Sequence, residues 1–383
     1  MSLSDSLNNF ALRLFENIGF GKNENFFVSP FSIATALAMC LIGAKNETAD
    51  QLKQLLGFSK LDNQEILKLN EELIQSINNL NGNVTIKTAN KLFPKNGFEI
   101  LDEFLNTVRK NFKADVQCLD FGNPVKSAKE INLWVSNQTN DKIRDLIDPS
   151  VITELTRLIL VNAIYFKGNW HLKFDSNMTI KEDFHLSDSS VRKVDMMKIK
   201  NKKFRLIGSP GGINADTCEI PYEGGDFSMT IILPHEGHSL DKIEKQLNHS
   251  VLNEVFTARG PLESVNLHVP KFKLRYNTEL SSNLKKMGAT LPFDERKADF
   301  TGITSHPVGL CISDVIHQAF VEVNEEGTEA AAATAVVMRL KSCAMVAMPL
   351  NPINFICNRP FLFVIQNKKN NGILFMGKYS KPE

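Results

Sequence analysis

The chain has 383 residues, of which 43% are apolar and 23% are charged, a composition typical of a globular protein that buries its own core. Lys and Arg total 44 against 43 Asp and Glu, so a net charge of +1 gives no overall field for nucleic acid or an anionic membrane. No run of 18 apolar residues is present and the start is polar. We therefore expect neither a membrane span nor a signal peptide, and a cytoplasmic location is preferred to an extracellular one.

The motifs of common enzyme classes are missing from the sequence. It has no G-x-S-x-G, no H-E-x-x-H and no C-x-x-C pair, and its eight His residues do not pair at ligand spacing. We expect no enzyme activity, no metal site and no cofactor, although spacing does not exclude a triad assembled from distant residues.

Apolar periodicity predicts helices first and strands later in the chain. The predicted helices cover 3–18, 30–43, 47–56, 63–79, 101–112, 126–146 and 239–257. The predicted strands cover 26–28, 84–93, 158–166, 265–274 and 310–323. In strand 158–166 the odd-numbered and the even-numbered positions are both apolar, although they face opposite sides of a strand. This pattern predicts a central strand covered on two faces. Without a linker between the two halves, we expect one α+β domain over 1–383.

An alanine-rich segment follows Gly327 and Thr328. Alanine favours a helix, but small side chains also suit a strand that slides into a narrow slot, and composition leaves both open. As a strand, alternate residues from Thr328 to Val336 share one uncharged face, and Gly327 offers a pivot with access to positive φ.

Four segments make the chain resemble a serpin, a member of the serine protease inhibitor superfamily. They are Asn25-Phe-Phe-Val-Ser-Pro-Phe-Ser-Ile, Leu160-Val-Asn-Ala-Ile-Tyr-Phe-Lys-Gly-Asn-Trp170, Val321-Glu-Val-Asn-Glu-Glu-Gly-Thr-Glu-Ala330 and Arg359-Pro-Phe-Leu-Phe. The resemblance runs nearly end to end. It implies the serpin fold, with three β-sheets, about nine helices and an exposed reactive-centre loop at about 326–354.

The resemblance also assigns roles to individual residues. A polar "shutter" beneath the opening of the main sheet would contain Ser29, Ser32, Asn162 and His317. The "breach" at the top of that sheet would contain Gly168 and Trp170. The loop's hinge would comprise Glu325, Gly327, Thr328, Glu329, Ala330, Ala331, Ala332, Ala333 and Thr334.

Inhibitory serpins act as suicide substrates, so the resemblance implies a covalent 1:1 complex of a monomer with a protease. Counting fourteen residues beyond Gly327 places the reactive bond at Lys341–Ser342, and lysine implies a trypsin-like target. Arg339 is the rival specificity residue. Eighteen residues lie between Lys341 and Pro360, a longer distal arm than is usual in the family.

Three alternatives stay open at this stage. The chain is an inhibitor or a non-inhibitory serpin with a carrier, chaperone or storage role. Lys198, Lys200 and Lys202 share one face of an extended segment, which is either a glycosaminoglycan site or a solvated strand face. Cys343 and Cys357 either form a disulfide that braces the distal arm or, as we prefer, are free thiols.

Overall fold

The computed structural model describes residues 3–78, 84–258, 260–328 and 351–382. Nine α-helices lie within these ranges: α1 (Leu3–Gly19), α2 (Pro30–Gly43), α3 (Asn46–Leu56), α4 (Asn63–Asn78), α5 (Asp102–Thr107), α6 (Pro124–Gln138), α7 (Leu240–Gln246), α8 (His249–Thr257) and α9 (Ser281–Lys286).

Fifteen strands lie in the same ranges: β1 (Phe26–Val28), β2 (Val84–Pro94), β3 (Asp115–Val116), β4 (Leu158–Asn169), β5 (Ile180–His185), β6 (Val191–Gly208), β7 (Ala215–Pro221), β8 (Phe227–Pro234), β9 (Leu262–Pro270), β10 (Phe272–Glu279), β11 (Asp314–Val323), β12 (Gly327–Thr328), β13 (Ile353–Ile356), β14 (Phe361–Asn367) and β15 (Gly372–Tyr379).

The strands pair into a six-stranded sheet and a nine-stranded one, and the nine-stranded one counts as two sheets that share β6, which makes the three sheets that the resemblance implies. The six-stranded sheet has the order β10-β11-β12-β4-β2-β3. The long strand β6 joins the other two, because its first part pairs with β5 and its last part with β7. Beyond β7 the order continues through β8, β14 and β15 to β1, and on the other side β6 leads to β9 and β13.

Local chemistry explains the central helix α2 and the strand beside it. Ser29 caps α2 by accepting a hydrogen bond from the backbone N–H of Ser32, and Pro30 occupies the first turn, where its missing N–H costs nothing. The helix is buried almost throughout and lies between β4 and β15. Strand β4 is buried at every position from Leu158 to Phe166, so the central-strand prediction is confirmed.

Several predicted boundaries are wrong, each for a local reason. Helix 126–146 ends at Gln138, because Asn140 and Asp141 take left-handed backbone conformations with φ of 51° and 61°. Helix 239–257 is two helices, since Asn248 caps a new one by accepting from the N–H of Val251. The run 265–274 is also two strands, separated at Pro270, and the strand predicted from 310 begins at Asp314.

Candidate functional site

The six-stranded sheet contains a seam between β11 and β4 whose upper end is already occupied. Along its lower part β11 pairs directly with β4 in parallel, from Asp314 opposite Ile159 to Phe320 opposite Tyr165. At the top, β12 lies between the two strands and runs antiparallel to both. The predicted hinge therefore starts as a strand between β11 and β4. The alanine run that follows lies outside the described residues, so its strand or helix conformation stays a prediction.

Thr328 is fully buried at this position. Its hydroxyl lies 2.7 Å from the hydroxyl of Tyr222, whose ring stacks on Trp170 at 4.6 Å between centroids. Burial raises the pKa of Tyr222 although the hydrogen bond from Thr328 lowers it, so the phenol stays neutral. The indole N–H of Trp170 donates to the carbonyl of Asn324 at 2.9 Å. Trp170 thus contacts the residue that precedes the hinge, and Gly168 faces Thr328 across the β12–β4 pair.

Gly327 is required because neighbouring backbone comes very close. A Cβ there would lie 2.1 Å from the carbonyl oxygen of Gly168 and 2.6 Å from Cα of Asn169, both of them backbone atoms. Gly327 is not among the residues with positive φ, so the left-handed region that glycine makes accessible is not used in this structure. What the sequence predicted as a pivot is a point of close strand contact.

Asn324 closes the turn between β11 and β12. Its side-chain oxygen accepts hydrogen bonds from the backbone N–H groups of Glu326 and Gly327 at 3.1 and 3.2 Å. Its own N–H donates to the carbonyl of Gly327 at 2.9 Å. This side-chain turn sets where the chain reverses into the sheet. The sequence analysis did not select Asn324.

Two acidic residues fasten this turn to the body of the protein. Glu325 accepts hydrogen bonds from Lys271 and from the hydroxyl of Thr179, each at 2.9 Å, and Glu326 forms an ion pair with Lys173. Burial by itself would raise the pKa of Glu325, but the hydrogen bond from Lys271, with further hydrogen bonds, outweighs it and the pKa is lowered. Glu325 is therefore held as a carboxylate.

The four predicted shutter residues are brought together beneath the seam. The N–H of Ser29 donates to Nε2 of His317 at 3.3 Å, so Nδ1 carries the proton and donates to Oδ1 of Asn162 at 2.5 Å. The amide of Asn162 donates to the hydroxyl of Ser32 at 2.6 Å. Burial lowers the pKa of His317 to about 3, which keeps the imidazole neutral.

A fifth shutter residue, Asn90 on β2, was missed by the sequence analysis. Its Oδ1 accepts hydrogen bonds from Asn162 and from the hydroxyl of Ser32. Asn90 lies in a strand that pairs with β4, directly opposite Asn162. No residue near Asn90 in the sequence indicates its role, because its hydrogen-bond partners lie 58 and 72 residues away.

The three lysines proposed for polyanion binding do not share one face. A bulge in β6 at Lys200 and Asn201, where Asn201 has φ of 48°, interrupts the pairing with β9. Lys198 lies opposite His268 and Lys202 opposite Val265. Because these partners are three residues apart, the two lysines point to opposite faces, and that prediction is wrong. Lys198 also forms an ion pair with Glu182.

Several predicted residues lie outside the described ranges. These are Glu329, Ala330, Ala331, Ala332, Ala333, Thr334, Arg339, Lys341, Ser342 and Cys343. Cys357 is described and fully buried, and burial raises the pKa of its thiol. The preference for free thiols over a Cys343–Cys357 disulfide stays a prediction.

The described ranges contain neither a membrane-spanning helix nor a cluster of metal ligands. No helix there is both long and apolar enough to span a membrane. Within the same ranges, no three His, Cys, Asp or Glu side chains are grouped so that they could bind a metal ion.

Comparison with known proteins identifies the family. A family model described as serpin (serine protease inhibitor) matches residues 5–382. The chain is a serpin. It is 39% identical to Serpin B4 of Homo sapiens over the full length of both chains, and 38% identical to leukocyte elastase inhibitor A of Rattus norvegicus over 99% of each.

A solved structure is similar over the whole fold of this serpin. Serpin48 of the insect Tenebrio molitor superposes with a TM-score of 0.89 at 31% identity, covering 100% of this chain and 98% of that one. The prediction of an α+β serpin fold is confirmed, and with it membership of the protease inhibitor family.

The contact at Gly327 gives a first testable prediction. Gly327→Ala places a Cβ against the backbone of β4, so we expect β12 to leave the seam and the Thr328–Tyr222 hydrogen bond to be lost. The unfolding free energy should fall by about 1–3 kcal/mol, measured by urea titration, and the fluorescence of Trp170 should shift as its surroundings open. Gly208→Ala is the matched control, because its Cβ would meet only one side-chain atom at 3.5 Å. Equal unfolding curves for the two variants would contradict this account.

Proposed function

We propose that this serpin is a suicide-substrate inhibitor of trypsin-like serine proteases and acts as a monomer in a covalent 1:1 complex. The observation that carries the proposal is the position of Gly327 and Thr328 between β4 and β11, at the head of a seam that a longer strand can enter. The residues that follow in the sequence are small from Ala330 to Ala333. None of them puts a bulky or charged side chain on the face that Thr328 buries.

The proposed reaction begins as ordinary proteolysis. The protease serine attacks the carbonyl carbon of Lys341, the bond to the nitrogen of Ser342 breaks, and the amine leaves with a proton, which gives an acyl-enzyme ester. Water would then release an active protease at roughly 1–1,000 per second. Trapping requires that the freed loop enters the seam within that time as an added strand.

The described hinge supports fast entry. Because Gly327 and Thr328 already pair with β4, insertion extends an existing strand and does not need a new nucleus. About sixteen residues at ~3.3 Å each would carry the ester roughly 50 Å along the sheet. Below Thr328, the seam is closed by the β11–β4 ladder and by the neutral His317–Asn162 contact, which have to separate. Hydrogen bonds to the entering strand replace those that are broken, so both arrangements of the sheet have their backbone groups paired.

Specificity for trypsin-like enzymes rests on Lys341, with Arg339 as the rival. A lysine ammonium is buried at low cost only in a pocket that supplies an acidic partner. The same proposal makes the chain an inhibitor and not an enzyme. The cytoplasmic location stays a prediction.

Incubation with trypsin tests this function. We expect a complex of the combined mass that survives boiling in detergent, because an ester links the two chains. Trypsin with its active-site serine blocked should give none. Loop cleavage with full release of active trypsin would instead support the non-inhibitory alternative, and no cleavage in the loop would contradict both.

We also propose a weak, salt-sensitive contact between the β6 bulge and sulfated polysaccharides. Lys200 is exposed there, while Lys198 is paired with Glu182, so the expected affinity is low. Replacing Lys198, Lys200 and Lys202 with alanine should lower the salt concentration at which the protein elutes from heparin. A charge-matched control replaces the exposed Lys60, Lys68 and Lys242. If both variants elute alike, the contact is not at β6.

A further inference from the structure

A cavity of about 240 Å³ opens at the edge of the six-stranded sheet, beside strand β2. Strand β3 pairs with β2 only at Lys91 and Leu92, so among the described residues no strand covers the edge of β2 before Lys91. The cavity lies at this edge, between the loop at 112–115 and helix α6. None of the described hinge residues lines it.

The amide of Asn90 presents its nitrogen to this cavity. Asn90 is only 9% exposed, and its Oδ1 already accepts hydrogen bonds from Asn162 and Ser32 in the shutter. These two donors fix the orientation of the amide, because only its oxygen can accept them. Asn90 lines the cavity, and its Nδ2 donates to no described residue. A ligand with an acceptor at this point would therefore gain a hydrogen bond that the described protein does not make itself.

Four more polar groups around the cavity make no hydrogen bond or ion pair with a described residue. They are the hydroxyl of Thr88, the ammonium of Lys113, the indole N–H of Trp134 and the side-chain amide of Gln138. Each of them can donate a hydrogen bond, and Lys113 adds a positive charge. Because these donors line one cavity, they favour a ligand that is negatively charged and rich in acceptors.

The single carboxylate among the lining residues is neutralised by a neighbour. Oδ1 of Asp115 accepts a hydrogen bond from Nε of Arg109 at 3.1 Å, and a second nitrogen of the same guanidinium also lies at 3.1 Å. With Lys113 nearby, the charge around the cavity is positive on balance. The remaining wall is apolar, since Phe112 is buried there and the ring of Trp134 lies beside it.

We propose that this cavity binds a small carboxylate that carries an aromatic or other apolar group. The carboxylate accepts hydrogen bonds from Nδ2 of Asn90 and from Lys113. The apolar part lies against Trp134 and Phe112. The volume suits a molecule of about ten non-hydrogen atoms, because an internal cavity of ~150 Å³ holds benzene.

Binding at this cavity also acts on the shutter. The orientation of the Asn90 amide that presents Nδ2 to the cavity is the one that presents Oδ1 to Asn162 and Ser32. A ligand held by Nδ2 therefore favours the closed shutter and stabilises the intact protein. The inference concerns a binding site and does not depend on whether the chain inhibits proteases.

Calorimetric titration of the intact protein with phenylacetate tests the site. Phenylacetate should bind one to one, and phenylacetamide, which has the same shape without the charge, should bind at least about tenfold more weakly. Lys113→Gln should weaken the binding of phenylacetate at least about tenfold and leave that of phenylacetamide unchanged. The matched control is Lys110→Gln, which removes an exposed charge outside the cavity and should leave both affinities unchanged.

Asn90→Asp tests the link to the shutter. Aspartate keeps the oxygen that Asn162 and Ser32 use but replaces the free donor with a negative charge, so it should abolish binding of phenylacetate. Phenylacetate should raise the urea midpoint of intact wild type, and an equal rise in Asn90→Asp would overturn the link. No saturable binding to wild type, or equal affinity for wild type and Lys113→Gln, would overturn the site. Equal binding of phenylacetate and phenylacetamide would overturn the class of ligand.

Discussion

Replacing Thr328 with arginine is expected to convert this serpin from an inhibitor into a substrate. Thr328 is fully buried between β4 and β11, and its hydroxyl bonds to Tyr222. An arginine there would have to bury an unpaired cation, at a cost of several kcal/mol even after relaxation. Insertion would slow while cleavage continued. Trypsin should cut the loop and leave active, and the yield of detergent-stable complex should fall at least about tenfold, since 1.4 kcal/mol already corresponds to that factor.

Two matched variants show whether the effect comes from charge or from the lost hydroxyl. Thr328→Ser keeps the bond to Tyr222 and should inhibit like wild type. Thr328→Val keeps the shape, removes the hydroxyl, and should cost about 1–3 kcal/mol in stability while still trapping trypsin. The measurement is the number of serpin molecules consumed per trypsin molecule inhibited. An arginine variant that traps trypsin one to one would show that this chain does not inhibit by loop insertion.

Replacing Lys341 with alanine is expected to abolish complex formation with trypsin. The primary pocket of a trypsin-like enzyme gains its selectivity by pairing with a basic side chain, and alanine leaves that acid unpaired. The unfolding midpoint of the intact protein should stay within experimental error of wild type, because the serpin resemblance implies that Lys341 belongs to an exposed reactive-centre loop, where substitutions change stability little. Loss of inhibition without loss of stability identifies a recognition residue.

Arg339→Ala is the matched variant for this prediction. It should leave trypsin trapping largely intact if the reactive bond is Lys341–Ser342, and abolish trapping if the bond follows Arg339. Mass spectrometry of the peptide released from the complex locates the bond directly. Cleavage after Met345 or Met348 would contradict the count from Gly327 and with it the trypsin-like target.

Local sequence signals determined much of the fold. The apolar stripe of α1, the Ser29 cap with Pro30, and the two-sided apolar run of β4 each predict their element, because helix and strand periodicity and capping depend on neighbours within a few residues. The boundaries that failed, at Gln138, Asn248 and Pro270, depend on backbone conformations and caps that periodicity does not describe. The bulge at Lys200 belongs with them, since it reverses the face of every later side chain in β6.

The residues of the site likewise fall into those found from the sequence and those found only in the tertiary structure. The resemblance found Ser29, Ser32, Asn162 and the start of the hinge because each lies within a distinctive run of residues. It also assigned His317, which lies outside those runs. Asn90, Asn324 and Tyr222 were found only in the structure, and Tyr222 meets Thr328 across 106 residues. Tertiary structure also decided why Gly327 is glycine, since the backbone of β4 fills the space of its side chain. Local sequence specifies which conformations a segment prefers, but contacts between segments far apart in the chain form only when the packing of the whole sheet brings those segments to one register.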